Sequence, residues 1–298
     1  MEYFKDLQTH VIYCDSSSVN YEGELYPNVN YLHLPGENFA KKVLFALSSI
    51  KTNFVALCAD DDFIIIDSLY KGLLFLEENK NYKAVVGKYI SFKDKFDGDY
   101  YPLYQELPND ISFNAKKNAE IFFKNYYQIL WGMYDKDVLI KAFGIIDKAK
   151  FNNDNFIELV IGTCVCHAGN IKFLRDIWGV REISTIEHWG SRHAPILSKK
   201  IAQIRGDYSK FSKLIDSETN AGYADLVMNN YLNGHRERVG FLRLAIGEII
   251  PKAIKKIVRN KILIKSAVSR LDLSQSDNEL LYSITLILTK GSPSNIKF

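Results

Sequence analysis

An α/β architecture is expected from this sequence, with a mostly parallel sheet flanked by helices and a helical C-terminal region. Three observations lead there. Short β-prone runs alternate with helically spaced segments through the first half of the chain, the pattern of strand–helix units. The run Phe54 to Ala59 is apolar throughout, as in a strand covered on both faces. After about Arg205 strand-like runs become scarce and helical spacing takes over.

The elements follow in order. His10 to Cys14 is a β-prone run that ends in the polar turn cluster Asp15-Ser16-Ser17-Ser18, and Tyr31 to Leu34 is a second, closed by Pro35-Gly36-Glu37-Asn38. Phe39 to Ile50 places Val43, Leu44, Leu47 and Ile50 at helical spacing. Phe54 to Ala59 is the third strand. A helix from about Asp67 follows, N-capped by Asp67 or Ser68, with Leu69, Leu73, Leu74 and Leu76 on its buried face. Ala84 to Phe92 is the next strand. Lys93 to Asn114 is rich in Asp, Tyr, Pro and Gly and reads as a long surface loop able to cover a substrate. Asn118 to Tyr127 reads as helix, Ile129 to Tyr134 as extended, Lys136 to Phe143 as helix, and Phe156 to His167 as a further helix with Glu158 near its start.

The expected domains are residues 1–204 and a mostly helical region, 205–298. Within the latter, Glu248 to Lys265 sets Ile250, Ile254, Ile257, Val258 and Ile262 on one face and Lys252, Lys255, Lys256, Arg259 and Lys261 around the remainder. This basic amphipathic pattern suits a helix packed on its own domain or one docked on an anionic membrane surface, and both can hold at once.

Composition narrows the function classes. At 298 residues, 47% apolar and 24% charged, the chain is ordinary globular protein with room for a substantial core. A net charge of +3 is too small to argue for nucleic acid. Cys14, Cys58, Cys164 and Cys166 lie in apolar stretches without disulfide-framework spacing, which suits a reducing compartment and makes the cytoplasm the default. Met1 to Asp6 lacks the zones of a signal peptide, and no stretch reaches the roughly 18 apolar residues of a membrane span. A soluble or peripheral protein is expected. Cys164-Val165-Cys166-His167 is one short cluster that cannot close a tetrahedral zinc site, so both cysteines read as core.

The chemistry concentrates in Asp60, Asp61 and Asp62. Adjacent carboxylates repel, and a hard divalent cation with oxygen preference relieves the repulsion. A strand's C-terminal end is also where open α/β sheets bind ligands. The competing reading is a solvated turn with an Asp N-cap.

Together, Asp15-Ser16-Ser17-Ser18 after one strand, Phe39-Ala40-Lys41-Lys42 opening a helix, and Ala59-Asp60-Asp61-Asp62-Phe63 after another resemble the bacterial family 2 glycosyltransferases of GT-A fold. The similarity is greatest to a subgroup with an Ala-Asp-Asp-Asp-Phe motif, and it spans roughly residues 8 to 195. The chain departs from that family in lacking its opening strand–helix unit, whose strand forms part of the nucleotide pocket. The resemblance implies a metal-dependent enzyme that moves a sugar from a nucleoside-diphosphate donor to a glycan or lipid-linked acceptor in bacterial surface polysaccharide synthesis, with inversion.

By the same resemblance Mn²⁺ or Mg²⁺ is held at the aspartates, with Asp62 the best direct ligand, Asp60 reaching metal or ribose, and Asp61 beside them. Asp15, followed by Ser16, matches the nucleoside contact, and Lys42 a basic position near the nucleotide. Glu158 resembles the general base, with Asp154 competing for that role; a helix-start glutamate favoured by the macrodipole is the plain alternative. The stretch Trp178 to Glu182, which contains Arg181 and is followed by His188 and His193, matches a loop over the diphosphate, although loop histidines and surface arginines are common. A non-catalytic, degenerate relative serving as a scaffold is the second reading. A nucleotidyltransferase, the third, lacks its Gly-rich phosphate loop. The expected location is the cytoplasm, peripheral to the inner face of the plasma membrane, and a homo-oligomer stays open.

Overall fold

The computed structural model describes residues 9–93, 101–102, 107–183, 195–196, 198–199 and 201–239. The protein is an α/β fold in which helices flank two sheets and a helical region follows.

Strands β1 (Val11–Asp15) and β2 (Val29–His33) form a parallel ribbon with Tyr13 opposite Tyr31 and Asp15 opposite His33. Alternation along a strand puts these four side chains on one face. The Tyr13 and Tyr31 rings stack at 6.0 Å between centroids, and Tyr31 and His33 at 6.3 Å. Helix α1 (Phe39–Ser49) starts where Asn38 accepts the Lys41 amide at 3.0 Å, and it buries Ala40, Val43, Ala46 and Leu47. It packs on β1 and on the helix Lys136–Ala149, so it joins the ribbon to the helical layer.

That sheet has the order β3-β7-β5-β8-β4, with β6 (Tyr101–Pro102) on β5. β5 (Tyr82–Lys93) and β8 (Asn170–Ile183) run parallel; β3 (Phe54–Ala56), β4 (Asp62–Ile64) and β7 (Met133–Asp135) are short and join antiparallel. One long parallel ladder, β5 on β8, thus runs through a sheet completed by short antiparallel ones. Helix α2 (Ile66–Glu78) lies against β5 and β8 through Gly72, where an added Cβ would stand 3.1 Å from the Trp178 ring.

Helices α3 (Ala115–Lys124), α4 (Lys136–Ala149), α5 (Asn155–Ala168), α6 (Ala202–Glu218) and α7 (Tyr223–Val239) pack against one another. A helix apolar all round belongs in the interior. From Phe156 to Cys166 every α5 residue is buried except Glu158, which is half-buried, and Cys164 and Cys166 are among the buried ones. Ile204, Phe211, Ile215, Val227 and Met228, from α6 and α7, join the same core as α3, α4 and α5.

Several sequence expectations are corrected. The third strand stops at Ala56, because Asp62–Ile64 peels off to pair with β8. A turn closed by the Asp62 amide on the Ala59 carbonyl, at 3.3 Å, separates the two. α2 begins at Ile66 with no side-chain cap; Ser68 instead donates to the Ile177 carbonyl at 2.7 Å. Trp178 to Glu182 is no loop but the end of β8, held between β4 and β5, with Trp178 and Val180 fully buried. The stretch Lys93 to Asn114 is interrupted by β6 and by Ile111, which exchanges backbone bonds with Ile171 at 3.0 Å. Glu248 to Lys265, His188 and His193 lie outside the described residues. No described helix is long and apolar enough to cross a membrane.

Candidate active site

Two polar clusters correspond to the residues singled out from the sequence. The first closes β1. Asp15 accepts hydrogen bonds from the Tyr31 hydroxyl at 2.5 Å, and from the Ser17 amide and hydroxyl, both at 2.8 Å. The Tyr31 bond, then that of the Ser17 amide, holds the Asp15 carboxyl below its ordinary range. Lys42, one turn into α1, donates to the Ser16 hydroxyl at 2.9 Å. Asp15, Ser16 and Lys42 thus stand together, with Tyr31 and His33 added by the register of β1 on β2. Those two aromatics escaped sequence reasoning, because nothing in a single strand tells which neighbour faces it.

The second cluster begins at the aspartates. Asp60 and Asp61 are exposed on the turn, whereas Asp62 opens β4 directly across from Arg181 on β8. Arg181 donates through Nε to Asp62 Oδ2 at 2.9 Å, and its guanidinium lies 5.1 Å from the centre of the Tyr89 ring. The Asp62 side chain is 4% exposed. Burial outweighs the Arg181 charge and pushes its carboxyl up to about 6, with Asp61 adding to the rise. Asp62 Oδ1 is buried with no hydrogen-bond partner.

From Arg181 the chain of bonds continues inward. Its Nη1 donates to Gln128 Oε1 at 3.1 Å, the Gln128 amide donates to Glu158 Oε1, and the Tyr126 hydroxyl donates to Glu158 Oε2. Burial raises the Glu158 carboxyl, against the bonds from Tyr126 and Gln128 and the charge of Arg181. Asp62, Arg181 and Glu158 are thereby brought into one network. Gln128 is its unforeseen member: a lone glutamine in a connecting segment carries no sequence signal.

Asp154 sits one turn before Glu158, at the N-cap of α5. The loop ahead of it is held by Asp207 of α6, fully buried, which accepts the Asn152 and Asn153 amides at 2.9 Å each. The two clusters also sense each other. Burial, then the Asp60 charge, then that of Asp15 raise the Tyr13 phenol, so the ribbon and the aspartate turn lie within electrostatic reach. Among the described residues no three His, Cys, Asp or Glu side chains converge to hold a metal ion unaided. A Mg²⁺-type site does not require it, since such ions take one or two carboxylates and fill the remaining positions with phosphate and water. The unpartnered Asp62 Oδ1, with Asp60 and Asp61 beside it, fits that demand.

Comparison with protein-family models finds no match, and comparison with curated proteins finds none. Among solved structures, the crystal structure of S. aureus TarS 1–349 is similar, at a TM-score of 0.47 and 12% identity over 79% of this chain and 66% of that chain. This chain thus spans just under two thirds of TarS 1–349, and a likeness at that level bears on no residue of the site.

Proposed function

We propose that the protein is a glycosyltransferase that passes a sugar from a nucleoside-diphosphate donor to a glycan or lipid-linked acceptor of the bacterial surface, with inversion. The observation that carries the reading is the network itself: Asp62, in the acidic run, and Glu158, at a helix start, are joined through Arg181 and Gln128. Carboxylates in those two places are what transfer of this kind needs, one end for the diphosphate and the other for the acceptor hydroxyl.

In this reading the turn Asp15–Ser17 receives the nucleoside, with Tyr31 fixing the Asp15 carboxylate and Lys42 close to the phosphates. Asp62 Oδ1 and an oxygen of Asp60 hold Mn²⁺ or Mg²⁺. When bound, the cation neutralises charge on the departing nucleoside diphosphate. Arg181 keeps Asp62 Oδ2 and leaves Oδ1 for the cation. Glu158 takes the proton of the attacking hydroxyl; a carboxylate has lone pairs beyond the two that Tyr126 and Gln128 engage, and its raised affinity for protons suits a base. Asp154, nearer the helix end, is the other candidate for that step. The Arg181–Asp62 ion pair favours a second reading, a non-catalytic relative in which the carboxylate is already compensated.

Calorimetric titration of a panel of nucleoside diphosphates with Mn²⁺ separates the two. The transferase reading expects binding that disappears with chelator and in both Asp62→Ala and Asp62→Asn, together with nucleoside diphosphate release in a donor screen. Binding indifferent to metal and to Asp62, or none at all, overturns it.

A further inference from the structure

Gln128 is the one link between the two carboxylates that belongs to neither strand nor helix. It lies between α3 and β7, in a segment pinned on both sides. Tyr127 is buried and donates to the Gly87 carbonyl at 3.2 Å, and the Ile129 carbonyl accepts the Gly132 amide at 2.9 Å and the Tyr134 hydroxyl. Ile129 and Leu130 are fully buried. Backbone so clamped leaves the side chain little room to drift.

Its amide has one orientation that works. Arg181 can only donate and an ionised Glu158 can only accept, so the oxygen must face Arg181 and the nitrogen Glu158. Glu158 is itself held by Tyr126, on the same segment. Arg181 reaches Asp62 with Nε and Gln128 with Nη1, two sides of one rigid plane, so fixing one edge sets the direction of the other.

We propose that Gln128 is a positioning residue of the site: anchored by Glu158, it aims the Arg181 guanidinium and through it the Asp62 carboxylate. The inference rests on the reading of Asp62 as the diphosphate end of a transfer site, but its test needs no donor. The readout is solvent exchange of the Arg181 Nε proton in ¹⁵N-labelled full-length protein, the resonance being identified by its loss in Arg181→Lys.

Exchange is expected to quicken about ten-fold in Gln128→Met, which keeps the length and loses both polar atoms. The swapped pair Gln128→Glu with Glu158→Gln, which keeps an oxygen for Arg181 and reverses the direction of the bond between positions 128 and 158, is expected to restore slow exchange. A merely structural role would not distinguish these two, since both fill the same space. Folded Gln128→Met with exchange within about two-fold of the parent, or the swapped pair exchanging as fast as Gln128→Met, overturns the proposal. Should Gln128→Met fail to fold, Glu158→Leu decides it: by removing the acceptor that orients Gln128, it must quicken the same proton, and an unchanged proton overturns the proposal. Slow exchange in the parent without any turnover would refute the transferase reading while leaving the positioning role standing.

Discussion

Asp15 and Asp62 each end or open a strand, each accept bonds from a neighbour across the ladder, and yet they are held in opposite electrostatic states. Asp15 stands at the open end of the β1–β2 ribbon, where bonds from Tyr31 and Ser17 act with little burial to oppose them, and its carboxyl is lowered. Asp62 is paired with a full guanidinium charge, and its carboxyl is nevertheless raised to about 6, because it was taken out of water. The contrast teaches that partner count does not set the sign of a shift. Loss of solvent does, once it exceeds what a single ion pair returns.

The comparison breaks most visibly at Arg181. Replacing it by Met strands Asp62 and leaves Gln128 without its donor, and a loss of about 3–5 kcal/mol is expected for a buried charge deprived of its partner, read by urea unfolding. Gly179→Ala comes next. Its Cβ would meet Cε1 of Tyr89 at 2.5 Å, and that ring is tethered by its hydroxyl to the Trp131 carbonyl at 2.5 Å while carrying Arg181 on its face. About 1–3 kcal/mol of overpacking cost is expected from the same measurement.

The pH dependence sharpens the contrast, because the two ends carry opposite signs. Glu158 has a folded value raised above its ordinary 4.5, so the folded state holds that proton more tightly; its contribution to stability is complete below 4.5 and is lost as pH rises through the raised value. Asp15 has a lowered value, so its contribution is present above 3.8 and is lost as pH falls through the depressed one. Unfolding midpoints measured across pH should therefore flatten just above 4.5 in Glu158→Gln and below 3.8 in Asp15→Asn. The same slope in both variants would contradict the assignment. The smallest effect is expected for Tyr31→Phe, which removes one half-buried bond: stability close to the parent, with the Asp15 carboxyl titrating nearer its ordinary value by NMR.

How much of this was legible in advance follows the range of the interactions. The turn Asp15–Ser18, the helix Phe39–Ser49 and the start of α5 are announced by local spacing and turn chemistry, and they stand within a few residues of where that spacing puts them. Arg181 stands out in the sequence as a charge, but its stretch reads there as a loop, since Trp178 to Glu182 mixes apolar and charged residues and gives no sign of being clasped on both sides. Gln128 could not be found at all, because its importance lies in two partners that arrive from distant parts of the chain.

Periodicity and turn residues encode local faces, so an α/β chain with an acidic run beside a strand, and a glutamate at the start of an apolar helix, follows from the residues in order. The surroundings of the run were decided by packing. β4 pairs with β8, which sets Asp62 against Arg181, and enclosure by the sheet reverses the direction in which that charge would otherwise move its carboxyl. Strand pairing and desolvation depend on groups far apart along the chain, and neither leaves a mark on local sequence.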